Sequence, residues 1–148
     1  YMLLFLSVIN WWGDQVSKVD YYAALKAIYT PESGSVWKAQ NKIWRSGFAQ
    51  DEGANPEDLH PLVVEKLLPD DVTTIVIPGT SKDYQKGSCV YKVDLGASGV
   101  ITHFLILLSM PYPVSDLMDL ERGWNGIDEF DKTQQSNFVR QLIFCRGE

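Results

Sequence analysis

The chain has 148 residues and a mass of 16.8 kDa, enough for one self-sufficient core. Hydrophobic residues make up 45%, charged ones 22% and aromatics 12%, which excludes a disordered tail, a collagen-like rod and a low-complexity linker. Thirteen Lys and Arg stand against nineteen Asp and Glu, so the net charge is -6 and the pI about 4.8, and binding of nucleic acid through its phosphates is not expected.

Met2–Ile9 is apolar, but it lacks a preceding basic residue and a following cleavage site, and Asn10, Gly13 and Asp14 interrupt it. It reads as a buried strand or first helical turn rather than a signal peptide or a membrane span, with a partner-binding or membrane-surface anchor, or a remnant of a longer segment, as the alternatives. Asp14–Tyr29 then follows a helical period through Val16, Val19, Ala23 and Ala27. Ser35 is placed to cap a second helix, with Val36, Trp37, Gln40, Ile43 and Trp44 on one stripe and Gly47 as its stop. Asp58 is placed to cap a third, with Pro61 in its first turn and Leu59, Leu62, Val63 and Leu67 facing inward.

Beyond Pro69 the period changes to two. Val72–Ile77 and Ser88–Leu95 read as strands, and the Gly96–Gly99 turn leads into Val100–Met110, the longest apolar run. A four-residue turn pairs Leu95 with Val100, which sets His103 opposite Lys92 and Cys89 opposite Ile106. His103 and Cys89 then fall on opposite faces and cannot act as a nucleophile and base. A short helix is expected near Ser115–Glu121, a turn at Gly123–Gly126 and a last strand at Asn137–Cys145. The expected fold class is therefore α+β: a single domain over residues 1–148, with N-terminal helices packed on a mostly antiparallel sheet of four to five strands.

Chemistry is sparse. There is no nucleophile elbow, no phosphate-loop spacing, no cofactor motif and no Cys-x-x-Cys, and two cysteines cannot build a tetrahedral zinc site. The two histidines, His60 and His103, read as a helix-start residue and a sheet residue. Cys89 and Cys145 read as buried thiols, with a disulfide between them the alternative, and cysteine usage favours the cytoplasm. No catalytic residue is assigned.

Charge is the stronger signal. Residues 51–72 hold seven acids against one Lys, and residues 114–131 hold six acids against one Arg. If the two segments converge, they make an acidic face for a basic protein partner. Glu57, Asp58, Asp116, Asp119, Asp128 and Glu129 are the expected charges on it, with Trp124 as the aromatic anchor.

The segment Val16–Leu25 (VSKVDYYAAL) resembles the opening helix of the nuclear-transport-factor-2-like family. That resemblance implies a cone with a small-molecule pocket, here lined by Tyr21, Tyr22, Trp37 and His103. A small acidic α+β domain also resembles toxin-neutralising immunity proteins, which implies a non-enzymatic inhibitor of a basic partner. A structural subunit docked through the N-terminal apolar run is the remaining reading.

Overall fold

Strand β1, Val36–Gln40, begins where Gly34, at a φ of 88°, turns the chain into the sheet. It pairs antiparallel with β2, Leu59–Leu67, and β2 pairs with β3, Thr73–Thr80. Beyond β3 lies a hairpin of β4, Val90–Asp94, and β5, Ile101–Leu105. One 3-10 turn, Ile106–Leu108, leads to β6, Met110–Pro113, which also pairs with β3. Helix α1, Val114–Met118, follows, then β7, Glu121–Arg122, beside β1, and finally α2, Lys132–Arg146. This computed structural model describes residues 31–50, 53–82, 89–96 and 99–147.

The seven strands form one antiparallel sheet in the order β4-β5-β3-β2-β1-β7, with β6 on β3 beside β5. Val76 faces Met110 and Gly79 faces Phe104, so three steps along β3 meet six along the opposing chain. The 3-10 turn absorbs the excess. Pro78 lies opposite that excursion, where its missing N–H leaves no ladder bond unmade.

Both faces of the sheet are covered. On the first, Trp37, Leu62, Val64, Val76, Leu105 and Met110 meet Trp44, Phe48 and Leu117. On the second, Val36, Val63, Ile77, Tyr91, Val93 and Phe104 meet Phe130 and Phe138. Successive residues of each strand alternate between these clusters, as the pleat requires.

The expected α+β layout is corrected by these observations. Among the described residues there are seven strands rather than four or five and two α-helices, one of them C-terminal, and no described α-helix precedes β6. The two segments expected as the second and third helices are β1 and β2. Trp37 and Trp44 share a helical spacing, yet Trp37 lies in β1 and Trp44 follows one 3-10 turn, Asn41–Ile43. Pro61 sits in β2 rather than a helix start. Val64, three residues on, spends its N–H on Ser35 O and its C=O on Gly34 N, on the β1 side. Alternation therefore turns the Pro61 nitrogen toward β3, ahead of the Leu62–Pro78 pair where that ladder begins.

The expected last strand at Asn137–Cys145 is part of α2. A reciprocal capping box starts that helix: Asp131 Oδ1 accepts from Gln134 N at 2.7 Å, and Gln134 Oε1 accepts from Asp131 N at 3.0 Å. The β4–β5 register is the expected one, with Lys92 opposite His103 and Asp94 opposite Ile101. The helix expected at Asp14–Tyr29, the Val16–Leu25 resemblance, Tyr21, Tyr22 and the apolar run lie outside the described residues.

Candidate protein-docking site

The turn Trp124–Ile127 carries the expected aromatic anchor. Trp124 N donates to Ile127 O and Ile127 N to Trp124 O, each at 2.9 Å. Asn125 and Gly126, at φ of 52° and 80°, fill the two central positions, which both need positive φ. Asn125 Nδ2 reaches Leu95 O at 3.4 Å, which holds the turn against the end of β4. The Trp124 ring packs on the second-face cluster. Beside it opens a cup of about 290 Å³, lined by Leu59, Pro61, Val100, Thr102, Trp124 and Asn125. Leu59 and Val100 are 46% and 49% exposed there.

Glu57 and Asp58 precede Leu59, the first residue of β2 and part of the cup lining. Glu57 takes a hydrogen bond from Lys42 Nζ at 3.0 Å and one from Gln40 Nε2 at 2.6 Å. The Lys42 hydrogen bond, with its charge behind it, holds the Glu57 carboxyl below the usual carboxylate range. The loop leading here is closed around Asn41, whose Nδ2 donates to Asn55 O at 2.9 Å. That leaves Asn41 Oδ1 as an acceptor toward His60 Nδ1 at 2.6 Å, so the imidazole proton belongs on Nδ1. His60 is therefore not the exposed helix-start residue of the sequence reading. It is half-buried, edge-on to Phe48, and burial lowers its pKa.

The other expected charges lie elsewhere. Asp116 and Asp119 bracket Leu117, whose side chain is buried in the first-face cluster. Burial, and then these two carboxylates, raise the Tyr112 pKa. Asp128 O accepts from Val36 N at 2.8 Å and from Arg122 Nε at 3.1 Å, beside β1. Glu129 bridges Ser35 and lines a broad groove of about 710 Å³ with Glu32, Phe130, Asp131 and Gln135. The acidic segments thus adjoin at two places. One is the cup, shared by Leu59–Pro61 and Trp124–Asn125. The other is the β2–β3 turn, where Val114 N donates to Val72 O at 2.9 Å. Neither Glu57 nor Asp58 lines the cup, and Asp116 and Asp119 sit across the sheet from Trp124.

Trp37 and His103, the described half of the expected small-molecule pocket, share the first face. Trp37 is 5% exposed, packs on Leu62, donates from Nε1 to Ser35 Oγ at 3.1 Å and carries the Arg122 guanidinium 4.9 Å from its ring centre. The ring fills the core rather than lining a cavity. Sequence reasoning missed Leu59 and Val100, which read as a helix and a strand residue of the core. Only pairing across β2, β3 and β5 places them at one sheet end.

Among the described residues no group of three or more His, Cys, Asp or Glu is placed to hold a metal ion. No described helix is long and apolar enough to cross a membrane. No protein-family model matches the chain, and no curated protein matches it.

Proposed function

We propose that the protein is a non-enzymatic, cytoplasmic binding domain that holds a basic protein partner, as an inhibitor or immunity protein would. The Trp124 cup is the docking centre. One observation supports this reading above the rest: two exposed aliphatic side chains and a tryptophan surround a cup to which both acidic segments contribute residues. Aromatic anchors in small desolvated pockets dominate protein interfaces, and flanking carboxylates steer a basic partner toward them.

The test uses a Lys-rich peptide and a neutral peptide of equal length, titrated separately into isotopically labelled protein. The Trp124 indole and the Leu59 and Val100 amides should shift together and saturate with the basic peptide. Affinity should fall several-fold as salt rises from low to physiological strength. Equal binding of the neutral peptide, or shifts centred on Glu32 and Glu129, would reject the reading.

A further inference from the structure

Helix α2 lies antiparallel along the edge strand β4. At one end Gln134 is tied to that strand twice. Its carbonyl accepts from the Tyr91 hydroxyl at 2.7 Å, and its Nε2 donates to Asp94 O at 3.0 Å. From Gln134 to Cys145 the helix advances about 16 Å, at ~1.5 Å per residue. From Asp94 back to Cys89 the strand covers about 16 Å, at ~3.3 Å per residue. The lengths match, so Cys145 arrives over Cys89.

The faces agree as well. Cys89 alternates with Tyr91 and Val93, which point to the second face, and its carbonyl is held by Ile106 N at 3.3 Å. Cys145 continues the inner stripe of α2 after Phe138 and Leu142 and packs on the same cluster. Both cysteines are half-buried. They are hydrogen-bonding neighbours; burial first, and then the Cys89 thiol, push the Cys145 thiol up to about 11.

We propose that Cys89 and Cys145 are a redox pair, closing to an intramolecular disulfide that locks the C-terminal helix onto β4 and opening again by thiol exchange. The oxidant is a low-molecular-weight disulfide. In one order of attack, Cys89 gives its proton to solvent and attacks one sulfur of the small disulfide. The small S–S bond breaks, a mixed disulfide forms and one small thiolate leaves. Cys145 then yields its proton to solvent and attacks the Cys89 sulfur, and the second small thiolate leaves. Two electrons pass from the protein to the small disulfide, and the departing thiolates take up two protons. The step needs only adjacency and access.

The test incubates the whole chain, natively folded, with oxidised glutathione, and reads intact mass, a peptide map and the melting temperature. The native protein should lose two hydrogens and yield one peptide linking Cys89 to Cys145. Its melting temperature should rise by about 5–15 °C, and dithiothreitol should reverse both changes. Cys89→Ser and Cys145→Ser should each stop at one glutathione adduct without the rise, and Cys89→Ala and Cys145→Ala repeat the comparison with smaller polar disturbance. Two stable glutathione adducts on the native wild-type chain, disulfide-linked dimers, or a linked peptide that forms only in denaturant would overturn the proposal.

Discussion

Single side chains carry consequences that can be measured. Gly79 lies in β3 with no space above it. A Cβ there would stand 2.7 Å from Phe104 Cε1 and 3.0 Å from Thr102 Cγ2. Phe104 is fully buried and cannot swing away. Gly79→Ala should therefore destabilise the fold by ~1–3 kcal/mol in urea unfolding, the usual cost of overpacking. Glu65 is a buried carboxylate whose compensation is Arg146, at 2.6 Å, with Ser109 Oγ 3.1 Å from the same guanidinium. Glu65→Ala would leave that guanidinium unpaired. The Arg146 side chain is 29% exposed, so the expected loss is about 2 kcal/mol, below the ~3–5 kcal/mol of a fully buried pair. His60 sets a pH dependence. Burial lowers its folded pKa below the ordinary 6.5 of histidine, so the unfolded chain binds the proton more readily. Its contribution to stability is complete above pH 6.5 and is lost as pH falls toward the folded value. The melting temperature should decline between pH 7 and 5, and less steeply in His60→Gln. An equal slope in both proteins would contradict the assignment.

At the scale of elements, legibility in the sequence depended on how local the cause was. The β4–β5 register follows from β-branched runs either side of a glycine turn, and the Asn125–Gly126 turn is written in two adjacent residues. The capping box of α2 is equally local, since Asp131 and Gln134 are three apart. The helical period itself is hard to see, because Val139, Ile143 and Phe144 place apolar groups on the exposed side of the helix and blur it. Strands β1 and β2 look helical in sequence for a different reason. Both faces of this sheet are covered, so their apolar residues do not alternate with polar ones, and the pattern passes for a helical stripe. The cap still makes α2 testable on its own terms. Asp131→Ala removes the acceptor for Gln134 N and should cost about 1 kcal/mol. Hydrogen exchange should quicken first in the opening turn of α2, while the amide of Val63, deep in β2, stays protected. Uniform quickening throughout would mean that the box does not act locally.

At the scale of the whole molecule, the total charge says less than its placement. The cup lies at the Leu59 end of β2, whereas Tyr112, with Asp116 and Asp119 beside it, lies opposite Thr74, which itself faces Leu67 at the other end. Eight strand steps separate Leu59 from Leu67, about 26 Å at ~3.3 Å each. Salt at physiological strength screens exposed charges beyond about 8 Å. Carboxylates at the far end therefore contribute to overall acidity, and hardly to the field a partner meets at Trp124. Two double variants separate these contributions. Glu57→Gln with Asp58→Asn should weaken binding of the Lys-rich peptide several-fold and flatten its salt dependence. Asp116→Asn with Asp119→Asn removes the same charge and should change the affinity by less than about 1.5-fold at physiological salt. Isothermal titration of both variants beside the wild type decides the matter. Equal losses would mean that the partner reads net charge rather than a site, and a larger loss in the second variant would move the docking centre to the face beside Tyr112.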